Sequence, residues 1–369
     1  MSKNYQKKIL VQKIGELYSG PGGIGLGAAQ SSSSVNGSKM ITEPVWINDI
    51  CADSCQTWKE NVLRYEKENK NFKGDVKIYN KDVRKLDIDK LDEINGLIFG
   101  FPCNDFSRIG KHKGIKGKFG GLYSYGVDVL SKQKKPEWFI AENVKGITSS
   151  NDGIAFKRII KELSECGYKL TIHNYKFEEY GVPQSRHRVI IVGFRNDLGI
   201  EYKIPAPSFE FVSAREALAN VPKNALNHEL VVQHPRVVER LKHIKPGQNA
   251  WNSDLPEHLR LKPTKTTLSN IYRRLLPDQP AYTVTGSGGG GTYMYHWSEN
   301  RALTNREKAR LQTFPDWFHF SGYKNSVRKQ IGMSIPVAAG KIIVTSVLDS
   351  LTGKPYPSIR ANNINNFTL

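Results

Sequence analysis

The chain has 369 residues, 38% hydrophobic and 24% charged, which describes a soluble globular protein long enough for a full α/β domain and a second, smaller one. A formal charge of +19 and a pI near 9.6 point to a polyanionic partner, nucleic acid first, although a merely basic solvated surface carries the same signal. Four cysteines with no CxxC pair exclude a disulfide framework and argue against a structural zinc; with no apolar signal core in MSKNYQKK and no run read as a membrane span, a cytoplasmic location is expected.

In chain order, KIGELYSGPGGIGLG (13–27) predicts a short strand, a glycine-rich turn and a helix. Glycines let the backbone approach a ligand closely, and the helix start offers free N–H groups to an anionic group. The spacing is not the dinucleotide fingerprint, so the turn alone does not identify a ligand. SSSSVNGS (31–38) reads as a low-complexity surface loop. Val45 to Asn48 read as a second strand ending at Asp49, which is placed to accept ribose hydroxyls or to cap a helix starting near Ala52, two roles that can hold together. Asp82 follows another short strand, Val76 to Tyr79; it could face an adenine amino group or lie in a solvated turn.

Leu97-Ile98-Phe99 predict a buried strand that stops at Gly100 and Pro102, placing Cys103 of GFPCNDFS on a loop at a strand end, where open α/β sheets hold ligands. A small buried thiol is the alternative. The next segment sets Arg108, Lys111, Lys113, Lys116 and Lys118 among glycines; it has little to bury and much to offer a phosphate backbone. A helix near Leu122 to Ser131 leads to EWFIAENVKGI, where Trp138 to Ala141 form a buried strand with Glu142 and Asn143 at its carboxyl end. A helix cap is the ordinary use of such a glutamate, but a thiol and a carboxyl group leaving neighbouring strand ends favour chemistry. In YGVPQSRHRVIIVGFR, Gln184, Arg186 and Arg188 precede the strand Val189 to Phe194; arginines two apart on an extended chain face one way, which suits phosphate or a carbonyl oxygen. After Pro205 and Pro207 the pattern loses its period, and the segment to about Leu276 is rich in His, Asn, Lys and Arg.

Together, ELYSGPGG, GFPCNDFS, AENV, QSRHR and RALTNREKARLQTFPDWFHFSG resemble the ordered motifs of the DNA cytosine-5 methyltransferases of bacterial restriction-modification systems, across nearly the whole chain. The resemblance implies a Rossmann-like, S-adenosylmethionine-dependent methyltransferase sheet over residues 1–204, a target-recognition domain over 205–325, and a return to the catalytic domain over 326–369. It implies Cys103 as nucleophile toward carbon 6 of a flipped-out cytosine, Glu142 on ring nitrogen 3, Arg188 on the carbonyl oxygen and Arg186 on the nearby phosphate. Tyr18, Gly20, Gly23, Asp49, Ile50, Asp82 and Pro102 would line the cofactor site. Ser107, Arg108, Lys111, Lys113, Gln184, Arg273, Arg274, Gly288 and Gly289 would meet DNA, a solvated charge pair and a structural turn being the other readings of Arg273-Arg274 and the glycines. The implied product is S-adenosylhomocysteine, with no metal, a monomeric state and a cognate restriction endonuclease as possible partner.

Three features depart from the pattern: Gly117, Phe119 and Gly120 replace an acidic-X-Arg-Gly motif, Met333 replaces an asparagine in QIGMSIPVAAG, and SSSSVNGS looks inserted. An RNA cytosine methyltransferase and a non-catalytic DNA-binding scaffold are the other readings. The absence of a threonine-cysteine partner for Cys103 counts against the first, and the intact trio Cys103, Glu142 and Arg188 against the second.

Overall fold

The computed structural model describes residues 8–70, 72–102, 121–149, 153–262, 270–288 and 291–361. The chain divides into two units: Met1–Lys176, His187–Pro207 and Ala339–Leu369 form one, Phe177–Arg186 and Ser208–Ala338 the other. The division differs from the expected boundaries in two places. The short segment Phe177–Arg186 goes with the second unit, and the chain rejoins the first at Ala339 rather than near 326.

The first unit is built on an eight-stranded sheet of order β2-β3-β1-β5-β6-β9-β7, with β4 also on β3. Its strands are β1 (Ile9–Leu17), β2 (Ser32–Val35), β3 (Ser38–Asp49), β4 (Lys77–Asn80), β5 (Gly96–Phe99), β6 (Trp138–Val144), β7 (Tyr168–Lys176) and β9 (His187–Arg195). β4, β3, β1, β5 and β6 run parallel; β9, beside β6, runs antiparallel to it, and β7, antiparallel to β9, again runs in the direction of the parallel set. Parallel strands buried on both faces need nearly continuous apolar runs. Leu97, Ile98 and Phe99 of β5 and Trp138, Phe139, Ile140 and Ala141 of β6 meet that need, each at most 3% exposed.

The helices follow the strands: α1 (Gly23–Ala29) after β1, α2 (Ala52–Trp58) after β3 and continuing through a π-turn into α3 (Arg64–Lys70), α4 (Ser124–Leu130) after β5, and α5 (Ile154–Glu165) after β6. α5 buries Phe156, Ile159, Ile160 and Leu163, a stripe at helical spacing, in the core with Phe99, Phe139 and Ile191.

The Ser31–Ser38 segment is not the expected surface loop. β2 and the start of β3 form a hairpin in which Val35 pairs with Ser38. Asn36 (φ 48°) and Gly37 (φ 79°) both take the positive φ that a two-residue type I′ turn requires. Ser31 and Ser33 are buried, and their hydroxyls bond the Gly27 and Lys341 carbonyls and the Thr352 hydroxyl.

The first unit also holds a short strand, β10 (Ile204–Pro205). The second unit has short elements: β8 (Gln184–Ser185) paired with β11 (Ala281–Tyr282), and helices α6 (Ala214–Leu218), α7 (Pro235–Lys242), α8 (Asn305–Leu311) and α9 (Lys324–Met333). α8 opens with a capping box in which Thr304 and Glu307 satisfy each other's backbone N–H groups, as the LTNRE string permits. One cluster of its core gathers Leu241, Ile244, Tyr272, Tyr295 and Ala302. α9 ends against the turn after β11, where a Cβ on Gly332 would lie 2.0 Å from the Gly286 nitrogen, so no larger residue fits.

The final helix, α10 (Val337–Thr352), passes α1 so closely in the first unit that a Cβ on Gly340 would stand 3.0 Å from Ile24 Cα. Contrary to the sequence reading, Lys324–Thr352 is apolar enough over 18 residues (mean hydropathy 1.7) to match a membrane span. It is broken between α9 and α10, and Ile343, Val344, Val347 and Leu348 are completely buried in the protein. Burial accounts for its apolarity.

Candidate active site

Parallel register brings the carboxyl ends of five strands to one edge of the sheet: Asn80 opposite Asp49, Leu17 opposite both Asn48 and Phe99, and Phe99 opposite Ala141. Ligands of open α/β sheets bind along such an edge.

At the β1 end the chain leaves Leu17 through Tyr18 (φ 59°) and Gly20 (φ 54°) into Gly22 (φ 95°), whose left-handed backbone starts α1 at Gly23. The Tyr18 hydroxyl donates to the Leu122 carbonyl at 2.6 Å, and its burial raises its pKa further above the ordinary phenol range. Asp49 closes the turn from β3: its carboxylate accepts the Gly20 N–H at 2.9 Å and the Cys51 N–H at 2.8 Å. The helix cap expected of Asp49 falls on Cys51 instead. A Cβ on Gly20 would meet nothing within 4 Å, and Ile50 is 69% exposed although large and apolar. An open glycine turn, a carboxylate and an uncovered apolar side chain fit the cofactor's methionine end, ribose and adenine face. Asp82, beyond β4, caps a short helical turn and is paired to Arg84, which holds its carboxyl down at about 2 and thus ionised.

At the β5 and β6 ends, the turn Gly100-Phe101-Pro102 lies beside Glu142: a Cβ on Gly100 would come within 3.2 Å of the Glu142 carboxylate. Asn143, buried, donates from Nδ2 to the Phe101 carbonyl at 3.1 Å and so fixes that turn. On β9, Arg188 is opposite Val144, one pleat from the partner of Glu142, so their side chains share a face. The Arg188 Nε donates to Glu142 Oε1 at 2.7 Å, and both side chains are largely buried. Pro102 is the last described residue before Cys103; Cys103, Ser107, Arg108, Lys111, Lys113 and Gly289 lie outside the described residues. Of the other cysteines, Cys55 is no rival nucleophile, because burial pushes its thiol up to about 12.

Three residues expected at DNA are buried. Gln184, wholly buried, donates to the Leu311 carbonyl and Gln312 and accepts the Val284 N–H. Arg186, 1% exposed, donates to the Val284 and Gly332 carbonyls, which belong to the second unit as it does. Arg274, 4% exposed, donates to the carbonyls of Leu241, His296 and Glu299 and to the Asn300 side chain. All three serve as internal ties. Arg273 is partly exposed and stands 4.9 Å over the Tyr282 ring, and Gly288 is partly exposed.

The sequence reading passed over Glu16, a carboxyl group buried in β1 under the glycine turn. It accepts the Trp58 indole N–H at 3.3 Å, and burial raises it to about 8. A Cβ on Gly25 would meet its Oε1 at 2.7 Å, so Gly25, Trp58 and Glu16 fit only as a set. The signal available was an acid inside the apolar run KIGEL. Among the described residues no cluster of three His, Cys, Asp or Glu is placed to hold a metal ion.

The family model described as C-5 cytosine-specific DNA methylase matches residues 12–349. The chain is 50% identical over 358 residues to the Type II methyltransferase M.BbvI of Brevibacillus brevis, covering 94% of this chain and 93% of that one. It is 37% identical over 347 residues to the Type II methyltransferase M.NgoFVII of Neisseria gonorrhoeae, covering 91% and 86%. Among solved structures, the Entamoeba histolytica methyltransferase EhMeth shares the fold with a TM-score of 0.61 at 16% identity, over 94% of this chain and 99% of that one.

Proposed function

Given that the chain belongs to the C-5 cytosine-specific DNA methylase family, we propose that Cys103, Glu142 and Arg188 carry out its methylation of cytosine within one short DNA sequence. The observation that supports these roles most is the Glu142–Arg188 pair beside the Gly100–Pro102 turn, one residue before Cys103. A carboxyl group and a guanidinium held together at 2.7 Å can grip adjacent edges of one pyrimidine, nitrogen 3 and the carbonyl oxygen.

The Cys103 thiolate adds to carbon 6, and the electron pair of the carbon 5–carbon 6 double bond makes carbon 5 nucleophilic. Glu142 holds a proton on the nitrogen 3 side and Arg188 takes up charge at the carbonyl oxygen. S-Adenosylmethionine, which methyltransferases of this family use, supplies an electrophilic methyl group and leaves as S-adenosylhomocysteine. Loss of the carbon 5 proton to water or hydroxide re-forms the double bond and expels the thiolate. The base must leave the duplex stack for this, at a cost of a few kcal/mol. Asp49 would hold the ribose hydroxyls, Ile50 the adenine face and Asp82 the adenine amino group, with Tyr18, Gly20, Gly23 and Pro102 forming the walls.

Ser107, Arg108, Lys111, Lys113, Arg273, Gly288 and Gly289 remain the proposed DNA contacts. The name Type II methyltransferase carried by its relatives supports a modification enzyme paired with an endonuclease for the same site, and a monomer in the prokaryotic cytoplasm is proposed with it.

Bisulfite sequencing of plasmid DNA from cells producing the chain or its Cys103→Ser variant tests the assignment. Cytosines protected in one sequence context with the parent, and in none with the variant, are expected. Equal protection by both would remove Cys103 from the mechanism.

A further inference from the structure

Most buried cations described in the second unit have oxygen partners. Arg306 donates to the carbonyls of Leu226, Pro315 and Phe318, Arg240 to that of Leu259, and Arg274 to three carbonyls and Asn300. Lys308, on α8, breaks that pattern. It is 4% exposed, yet its ammonium makes no hydrogen bond or ion pair among the described residues; it stands 5.6 Å from the centre of the Tyr293 ring. Its neighbour Glu307 is committed elsewhere, to Arg301 at 2.8 Å through both oxygens and to the Thr304 N–H.

A second cation converges on the same ring. Arg328 of α9 lies 5.3 Å from the Tyr293 centre and donates from Nη1 to its hydroxyl at 3.2 Å, while its buried Nε has no partner. The two positive groups oppose each other: burial, then Arg328, lowers the Lys308 ammonium to about 8. The glycine-rich turn borders the cluster. A Cβ on Gly288 would come within 3.1 Å of Arg328 Nε and 3.2 Å of the Tyr293 ring, so the Gly288 backbone presses directly on both.

A buried ammonium and a half-buried guanidinium on one aromatic ring are an arrangement that an anion would complete, since a ring face offers less than a carboxylate or phosphate does. We infer that Lys308, Arg328 and the Tyr293 hydroxyl form an anion site that takes one phosphodiester group of the DNA strand lying along the Gly288 turn. The site rests on the reading of the chain as a DNA enzyme, and it positions DNA without reading sequence.

The test is equilibrium binding of the full-length protein to a synthetic duplex of arbitrary sequence across a salt series. Lys308→Met retains the aliphatic packing and Arg328→Gln retains a donor; Lys308→Arg keeps the charge. Met and Gln variants should each weaken binding up to about tenfold, and the double variant should lower the slope of log affinity against log salt by about 1, the value for a single phosphate. Lys308→Arg should keep the parental slope. Circular dichroism melting identifies a variant that has lost its fold, in which case the Lys308→Arg and Arg328→Gln pair decides. A parental slope in folded Met, Gln and double variants overturns the site while leaving DNA binding intact. A parent with no salt dependence at all overturns the DNA reading and the site with it.

Discussion

Arg188 and Glu142 meet across an antiparallel strand pair, Nε to Oε1 at 2.7 Å, from residues that sit one pleat apart in the β6–β9 register. The contact exists because β9 runs opposite to β6: a parallel neighbour would bring the amino end of the strand, and with it Arg188, to the other edge of the sheet. The antiparallel addition beyond β6 therefore delivers a cation to the edge where the parallel strands deliver the Gly100–Pro102 turn and a carboxylate. Arg188 Nη1 also donates to the His187 carbonyl, which further fixes the guanidinium.

Glu142→Gln keeps the shape and a hydrogen-bonding oxygen but removes the charge facing Arg188. Single-turnover methyl transfer should fall about 10²- to 10⁴-fold, the usual range for losing a positioned proton-handling group. Stability should fall by only about 1–2 kcal/mol, because the pair retains some solvent and the amide still accepts from Arg188. Unchanged turnover would show that the carboxyl group has no part in the reaction.

Asp49 joins two turns, and its removal acts on both. In Asp49→Ala the Gly20 and Cys51 N–H groups lose their acceptor, and under the proposed binding mode the ribose hydroxyls lose theirs. A charge-assisted hydrogen bond is worth about 1.5–3 kcal/mol, so the KM for S-adenosylmethionine should rise about 10- to 100-fold. DNA affinity, measured without the methyl donor, should move less than threefold or so by comparison. A KM that stays put would move the cofactor away from Asp49.

The sheet was legible in the sequence because apolar runs such as Leu97-Ile98-Phe99 and Trp138 to Ala141 have few other uses, and the turns after them end on Gly or Pro. The candidate chemistry was legible for a related reason: Glu142 and Arg188 border those runs and inherit their register. Arg186 and Gln184 were misread because a strand pattern tells which side chains share a face but not whether that face is later covered. Here the second unit covers them with its own residues, Val284, Leu311 and Gly332, distant in sequence. The Ser31–Ser38 hairpin was misread on composition, although Asn36-Gly37 is the dipeptide a type I′ turn favours. Buried serines with bonded hydroxyls pass for a surface loop when only their polarity is weighed.

Arg273 and Arg274 are adjacent yet should behave oppositely. Arg274→Met strips the partner from the Leu241, His296 and Glu299 carbonyls and should destabilise the protein by about 3 kcal/mol or more, read by denaturant unfolding. Arg273→Met loses only a partly exposed contact with Tyr282 and should cost about 1 kcal/mol or less. Its DNA affinity should fall across all sequences, with a salt slope smaller by about 1. A folded Arg274→Met of parental stability would return that residue to the surface.

Glu16 makes stability depend on pH in a direction unusual for a carboxylate. Its pKa is near 4.5 when unfolded and rises to about 8 in the fold, where burial disfavours the charged form. Between those values the folded state holds a proton that the unfolded state has released, so stability falls as pH rises through this window. The slope attributable to Glu16 is about 1.4 kcal/mol per pH unit. Glu66, raised to about 7 by burial, acts with the same sign, whereas the buried His296, which burial shifts down, acts with the opposite sign. A comparison with Glu16→Gln, which stays neutral throughout, isolates the effect. Between about pH 5.5 and pH 7.5, urea unfolding should show the parent losing about 2–3 kcal/mol more than Glu16→Gln does. Parallel curves for the two proteins would mean that Glu16 is ionised in the fold, with a compensating cation beneath the glycine turn.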